Sequence, residues 1–263
     1  MHYAPMTDAT GEKPDRRAGG TGPIRGILFD KDGTLVDYFA TWTPAYLAAA
    51  AHLAELTGDP AAADRLLAAG GYDRNADRYD PTSPLAHGTV PEIAEVWRHA
   101  VPDLARVADL EERIEQIFHD CALGNPQPVT DLPELFGRLR RRGLALGVAT
   151  NDSAETAWAS VRQLGIDGLL AFVSGYDSGH GAKPAPGMLH AFCAAARITP
   201  DAVLVVGDAA HDFAMARAGG AALTVGVLTG VTPASELAGL VDRMLPSIAE
   251  IESVLTTTES GPS

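Results

Sequence analysis

Residues 25–34 read Arg-Gly-Ile-Leu-Phe-Asp-Lys-Asp-Gly-Thr, a short apolar run that ends in two aspartates and a glycine. The apolar part has the length of a buried strand, and the glycine after it favours a turn. Asp30 therefore falls at the carboxyl end of a strand, and Asp32 follows where the turn can aim it at the same space. Ligand sites of open parallel sheets form at this edge.

Four more apolar runs follow in the second half of the chain, separated by helical patterns. The expected strands are 144–150, 171–174, 202–207 and 221–227, and the expected helices are 132–142, 153–165, 186–197 and 210–219. Strands that alternate with helices favour parallel pairing, which predicts an α/β fold with a doubly wound, Rossmann-like parallel sheet. Asp152 and Glu155 have the spacing of a capping box, so Asp152 is predicted to cap the helix after Thr150.

The segment between the first strand and residue 126 is helical in pattern and has no strong strand. Helices are expected over 41–57, 59–70, 90–101 and 107–123. The simplest organisation is an α/β core domain of residues 23–39 and 126–257, with residues 40–125 inserted as an α-helical cap domain. Residues 1–22 lack an apolar stretch and are predicted to be a disordered leader.

The composition limits the classes of partner. The chain has 263 residues and a formal net charge of -14, which argues against a nucleic-acid-binding face because such a face is basic. No apolar run approaches about 18 residues, so no membrane span is expected. Cys121 and Cys193 are too few for a disulfide framework and are expected to be reduced, as in a cytoplasmic protein. The oligomeric state is left open, a homodimer included.

Polar residues follow the ends of four of the expected strands. They are Asp30, Lys31, Asp32, Gly33 and Thr34 after the first, Thr150, Asn151 and Asp152 after the second, Lys183 beyond the third, and Asp208 with Asp212 after the fourth. Parallel strands bring their carboxyl ends to one edge of the sheet, so these groups are expected to lie together. Two of the three lysines in the chain belong to this set.

These residue types suit phosphoryl transfer. A carboxylate at a strand end, such as Asp30, is placed to act as a nucleophile. Asp30, Asp32 and Asp208 would repel a phosphate, and a hard divalent cation such as Mg²⁺ would offset that repulsion. Lys183 can neutralise the phosphoryl group, and Thr150 offers it a hydroxyl. The pattern therefore predicts a magnesium-dependent hydrolase of a small phosphate monoester.

The motifs DKDGT, T, KP and GDxxxD occur in this order between residues 24 and 255, a pattern that resembles the haloacid dehalogenase superfamily. It is similar to the phosphatase branch with a helical cap between the first two motifs, the phosphoglycolate phosphatase-like group. The resemblance implies a phospho-aspartyl intermediate on Asp30 and a general acid/base role for Asp32. It further implies that Thr150 and Lys183 contact the phosphate.

The resemblance also implies a metal site. Its ligands would be the Asp30 carboxylate, the Asp32 backbone carbonyl and Asp208, with Asp212 in support. Substrate contacts are predicted for residues of the first two motifs, namely Gly33, Thr34 and Asn151. Two positions depart from the family pattern. Lys31 stands where an apolar residue is common, and its side chain is predicted to point away from the site. Ala209 stands where serine is frequent, which removes a hydroxyl near the metal.

The cap is expected to close over the site and to choose the leaving group. Its most polar stretch, residues 71–80, contains Arg74 and Arg78. These arginines are predicted to bind a carboxylate or a second anionic group of the substrate, or else to be surface residues of a solvated loop. The expected candidate ester is 2-phosphoglycolate. Trp42 is assigned to packing.

Two other functions are consistent with parts of the pattern. A sugar-phosphate phosphomutase of the same family would share the core and differ in the cap. Receiver domains of response regulators also cluster Asp, Thr and Lys at strand ends, and they act as phosphate-accepting switches. In those domains the acceptor Asp lies on a middle strand. Here the paired acids of the first strand precede Thr150 and Lys183, and another acid site follows, which disfavours the switch.

Overall fold

The computed structural model describes residues 22–124 and 126–259, apart from the side chains at 87, 122–124 and 256–259. Within these residues the strands are β1 (Gly26–Phe29), β2 (Tyr72–Asp73), β3 (Arg78–Tyr79), β4 (Ala145–Ala149), β5 (Phe172–Ser174), β6 (Val203–Gly207), β7 (Leu223–Val227) and β8 (Arg243–Leu245). Six of them form one sheet in the order β5-β4-β1-β6-β7-β8, with every neighbouring pair parallel. The predicted leader, residues 1–22, lies outside the described residues except for Gly22.

The α-helices of the described residues lie between most of the strands along the chain, and none lies between β2 and β3. They are α1 (Tyr38–Thr57), α2 (Ala62–Ala69), α3 (Pro84–His87), α4 (Val90–Ala100), α5 (Leu110–Gly124), α6 (Leu132–Arg141), α7 (Ala154–Gln163), α8 (Gly187–Ala196), α9 (Ala210–Gly219), α10 (Ala234–Leu237) and α11 (Ile251–Glu259). None of these helices is both long enough and apolar enough to cross a membrane.

Both faces of the sheet are covered, which explains why its strands are continuously apolar. Along β1, Ile27 and Phe29 pack in one hydrophobic cluster with residues of α6 and α11. Leu28 points the other way and packs in a second cluster with residues of α8 and α9. All three side chains are fully buried. The predicted doubly wound α/β fold is confirmed.

A third hydrophobic cluster belongs to the segment between β1 and α6. Its buried members run from Tyr38 to Phe118 and include the fully buried Trp97. This separate cluster supports the division that we propose, with a core domain of residues 23–39 and 126–257 and a cap domain of residues 40–125, and Tyr38 at the start of α1 already packs with the cap.

Some element boundaries differ from the prediction. The cap contains a short antiparallel hairpin of β2 and β3, whose two-residue strands are too short to show a period in the sequence. The backbone N–H groups of Asn75 and Ala76 donate to Asp73 in its turn. The edge strand β8 was not predicted because it has three residues, two of them exposed. The helix expected over 107–123 begins at Leu110 instead.

The predicted cap of α7 is wrong by one residue. Ser153, rather than Asp152, precedes the helix, and its hydroxyl accepts a hydrogen bond from the backbone N–H of Thr156 at 3.2 Å. Asp152 is thereby released from a capping role, and its carboxylate pairs with Lys31 instead.

Candidate active site

The strand register brings three of the predicted motifs to one level. Phe29, the last residue of β1, pairs with Val148 of β4 and Val206 of β6. Asp30 therefore lies beside the ends of both neighbouring strands, where Thr150 and the Asp208 motif begin. These ends border a cavity between the core and the cap that has room for a few water molecules.

Three buried carboxylates form the floor of this site. Ligand oxygens of Asp30, Asp208 and Asp212 all lie within 4.8 Å of one another. The Lys183 ammonium lies among them, with Nζ 2.5 Å from Asp30 Oδ1 and 2.6 Å from Asp212 Oδ1. The first turn of α9 positions Asp212, whose Oδ2 also accepts a hydrogen bond from the backbone N–H of Ala209 at 3.1 Å.

Burial and crowding perturb the ionisation of this group. Burial raises the pKa of Asp30 to about 7, against the opposing effect of Lys183 and with the help of Asp212 and Asp32. Burial and the neighbouring Asp30 and Asp212 carboxylates raise the pKa of Asp208 well above its usual range. Burial alone would lower the pKa of Lys183, but Asp212 and Asp30 outweigh it and raise that pKa. If all three carboxylates were ionised, their negative charge would exceed what the one lysine offsets.

Two glycines allow Asp208 to approach the backbone closely. A Cβ at Gly33, where φ is +78°, would lie 2.7 Å from Asp208 Oδ2, and a Cβ at Gly230 would lie 1.7 Å from the same oxygen. The Thr229 hydroxyl donates to the Gly33 carbonyl at 2.5 Å and ties the two loops together. Gly230 was not singled out from the sequence, because nothing near it in the chain indicates contact with Asp208.

Asp32 faces the cap rather than the triad. Its Oδ1 accepts hydrogen bonds from Trp42 Nε1 of α1 at 2.5 Å and from Lys31 Nζ at 2.6 Å. Asp32 lines the cavity beside Asp30. The assignment of Trp42 to packing is therefore incomplete, since its indole N–H also joins the cap to the predicted acid/base.

The prediction that Lys31 points away from the site is wrong. Its side chain is 1% exposed and its Nζ also lies 2.9 Å from Asp152 Oδ2, so it joins two carboxylates that line the cavity. Burial would lower the pKa of Lys31, but Asp152 and Asp32 raise it above its usual range. The ammonium lies 5.1 Å from the centre of the Trp42 ring, within cation–π range.

Thr150 and Asn151 both line the cavity, as predicted for the second motif. The Thr150 hydroxyl accepts a hydrogen bond from the backbone N–H of Asp152 at 3.1 Å, which leaves its proton able to donate to a phosphoryl oxygen. The Asn151 amide holds the backbone of Lys183. It accepts from the Lys183 N–H at 2.9 Å and donates to the Lys183 carbonyl at 3.3 Å.

The cap contributes an aromatic wall that was not predicted as part of the site. Tyr38, Trp42 and Tyr46 of α1 line the cavity together with Phe118 of α5. The three α1 residues recur every four positions, so they share one helix face, and this spacing was visible in the sequence. His211 of α9 also lines the cavity.

The structure does not bring four of the predicted substrate contacts into the cavity. Gly33 and Thr34 are absent from its described lining, and the Thr34 side chain is fully buried in the loop. Arg74 pairs with Asp64 at 2.7 Å, and both side chains are more than half exposed. Arg78 is exposed on the β2–β3 hairpin. The arginines therefore match the alternative of a solvated loop, because that hairpin holds them outside the cavity.

The donor set fits a magnesium ion. Asp30, Asp208 and Asp212 supply buried carboxylate oxygens, the hard ligands that Mg²⁺ prefers. Burial and the neighbouring Asp30 and Asp212 carboxylates raise the pKa of Asp208, because both disfavour its ionised form. A divalent cation would supply the missing positive charge.

A family model described as a haloacid dehalogenase-like hydrolase matches residues 24–220. The chain belongs to this family, so it is an enzyme of the hydrolase class, as the resemblance predicted. It is 30% identical over 237 residues to a protein from Chromobacterium violaceum named phosphoglycolate phosphatase, and the match covers 88% of this chain and 96% of that one. Membership of the family disfavours the receiver-domain alternative.

Solved structures show the same fold at lower identity. A predicted phosphoglycolate phosphatase from Haemophilus somnus superposes with a TM-score of 0.65 and 20% identity, covering 88% of this chain and 97% of that one. A putative beta-phosphoglucomutase from Thermotoga maritima superposes with a TM-score of 0.62 and 18% identity, covering 89% and 99%. Both similarities show a shared fold.

Proposed function

We propose that the chain is a magnesium-dependent phosphatase that hydrolyses a small phosphate monoester through a phospho-aspartyl intermediate on Asp30. The observation that carries this proposal is the arrangement of Asp30 at the end of β1, in a buried carboxylate triad, with Lys183 Nζ 2.5 Å from its Oδ1. Relatives named phosphoglycolate phosphatase support the phosphatase class.

Asp30 acts as the nucleophile. Its carboxylate attacks phosphorus, and the bond from phosphorus to the ester oxygen breaks as the acyl phosphate forms. Lys183 lies against the same carboxylate and offsets the charge of the phosphoryl group in transfer. The Thr150 hydroxyl donates a hydrogen bond to a phosphoryl oxygen.

Asp32 acts first as the general acid and then as the general base. As a carboxylic acid it gives a proton to the departing ester oxygen, and as a carboxylate it then takes a proton from water. That water attacks the phosphorus of the acyl phosphate, which releases inorganic phosphate and restores Asp30. Trp42 and Lys31 hold Asp32 from the cap side through Oδ1.

Mg²⁺, when bound, supplies positive charge that offsets the repulsion between the phosphate and the acidic cluster. Asp30, Asp208 and the Asp32 backbone carbonyl would hold it, with Asp212 in support. The free thiols of Cys121 and Cys193 support our proposal that the enzyme works in a reducing, cytoplasmic compartment.

The test is release of inorganic phosphate from a panel of esters, with Mg²⁺ and with a chelator. The panel contains 2-phosphoglycolate, sugar phosphates, nucleoside monophosphates and an aryl phosphate. Asp30→Asn should lower the rate by at least about 10⁴-fold, because it removes the nucleophile. Asp167→Asn, at an exposed position outside the cavity, is the matched control and should retain activity.

Other outcomes would point elsewhere. If the folded wild-type protein releases no phosphate from any ester with Mg²⁺ present, the phosphatase proposal fails. A sugar phosphate that is isomerised without phosphate release would indicate the phosphomutase instead.

A further inference from the structure

The cap wall of the cavity is apolar. Beyond the aromatic wall described above, the cap contributes Ala86, Gly88, Val90 and Ile93. The side chains of Val90 and Ile93 are at most 5% exposed, so this wall is apolar and largely shielded from bulk solvent. Among the described side chains, which exclude that of His87, the cap brings no lysine, arginine or acid into the cavity.

The aromatic O–H and N–H groups of this wall already donate hydrogen bonds within the protein. The Tyr38 hydroxyl donates to the backbone carbonyl of Leu85. The Tyr46 hydroxyl oxygen lies 3.0 Å from the Tyr38 hydroxyl oxygen. Because the only hydroxyl hydrogen of Tyr38 is hydrogen-bonded to Leu85, Tyr46 is the donor in the bond between the two tyrosines. The Trp42 indole N–H donates to Asp32. A leaving group against this wall therefore meets ring faces and methyl groups, and no aromatic O–H or N–H is left to donate to it.

The charge of the site disfavours another anion. Two described lysine ammoniums, Lys31 and Lys183, lie among the carboxylates of Asp30, Asp32, Asp152, Asp208 and Asp212, and the His211 imidazole lies 3.5 Å from Asp212 Oδ1. With Asp32 protonated for the first step, one divalent cation and the two lysines only balance the other four carboxylates, which leaves no positive charge for a second anionic group. A second anionic group on the substrate would lie between this acidic floor and an apolar wall.

We infer that the substrate is a phosphate ester whose leaving group is small, uncharged and largely apolar. This inference rests on the proposed function and makes it specific. It departs from the expectation of 2-phosphoglycolate, whose carboxylate would be desolvated at the cap without a cationic partner. Burying a charge without a partner is strongly unfavourable, so such an ester would be a poor substrate.

Three esters of similar shape test the inference on the wild-type enzyme with Mg²⁺. They are 2-phosphoglycolate, its amide (glycolamide phosphate) and isobutyl phosphate. The amide and the carboxylate differ in charge, so kcat/KM for the amide should exceed that for 2-phosphoglycolate by on the order of 100-fold or more. Isobutyl phosphate should react at least as well as the amide, although its alcohol is the poorer leaving group.

A cation placed in the wall should reverse the preference. Val90→Lys puts an ammonium where the leaving group would lie, and it should raise kcat/KM for 2-phosphoglycolate relative to the amide. Leu56→Lys adds the same charge to an exposed position of the cap, where Leu56 is 45% exposed, and should leave the ratio unchanged. A melting curve for each variant reports whether it is folded. The comparison of the three esters on the wild-type enzyme does not depend on either variant.

The outcomes separate the two proposals. Hydrolysis of all three esters with 2-phosphoglycolate equal or preferred overturns the inference and leaves the phosphatase assignment intact. No phosphate release from these esters or from the general panel overturns the proposed function and the inference with it.

Discussion

At the scale of single residues, the site depends on two glycines that lack a Cβ and on one lysine between two carboxylates. Asp208 reaches its position because Gly33 and Gly230 have no Cβ to obstruct its carboxylate. Asp32 and Asp152, each 15% exposed, share the Lys31 ammonium, which lies between them. Only the Lys31–Asp32 pair is local, because Asp208 and Asp152 come from loops distant in the chain from Gly33 and Lys31.

We predict that Gly230→Ala displaces Asp208 and weakens Mg²⁺ binding by about 10- to 100-fold, the range seen when the support of a metal ligand is lost. The added Cβ would overlap Asp208 Oδ2 at 1.7 Å. Titration calorimetry with Mg²⁺ checks the affinity. Gly168→Ala is the matched control, because a Cβ there meets nothing within 4 Å. Equal affinities in the two variants would contradict this role of Gly230.

Lys31→Met should lower the free energy of unfolding by about 3 kcal/mol, because it leaves two carboxylates that are only 15% exposed without their cation. Urea denaturation measures the loss. Arg106→Met removes a cation from an ion pair whose side chains are 87% and 64% exposed, and it should cost less than about 1 kcal/mol. If both variants lose the same free energy of unfolding, the buried ion pairs of Lys31 contribute no more stability than the exposed pair of Arg106.

At the scale of elements, α1 connects the cap to the chemistry. It begins at Tyr38, two residues after the loop that carries Asp32 rejoins the core at Val36. Tyr38, Trp42 and Tyr46 then form one face of the helix along the cavity. The start of α1 therefore sets where the aromatic wall stands relative to Asp32.

Asp37→Ala should remove the N-cap of α1 and lower the free energy of unfolding by about 1 kcal/mol. In the native chain the Asp37 side chain accepts a hydrogen bond from the Ala40 N–H at 2.9 Å. Asp37→Asn keeps an acceptor at this position and should remain close to wild type in the same urea titration. Equal stability of the alanine and asparagine variants would contradict the N-cap role of Asp37.

At the scale of the whole molecule, the acidic cluster links stability to metal binding. A ligand that binds only the folded state stabilises it, by about 2.7 kcal/mol at a hundredfold excess over the Kd. The carboxylates that crowd around Asp208 are held together by the fold and separate when the chain unfolds. Metal affinity and folding are therefore coupled in this protein.

Mg²⁺ should raise the Tm of the wild-type protein relative to the chelated sample, as measured by thermal melting. Asp208→Asn should lose most of this shift, because it removes a carboxylate ligand. Asp201→Asn changes an acid that is exposed and should keep the full shift. A shift that persists undiminished in Asp208→Asn would exclude the proposed ion site.

The sequence by itself determined the α/β class and the order of the motifs at the strand ends. It did so because strand and helix periods and turn residues are local properties, and because Asp30, Thr150 and Asp208 directly follow apolar runs. Only the tertiary structure decided which polar groups meet. The pairing of Lys31 with Asp152, the approach of Gly230 to Asp208 and the exclusion of Arg74 from the cavity all depend on how distant segments pack. Packing of side chains across the core and cap has no local signature, so these contacts could not be predicted from the chain alone.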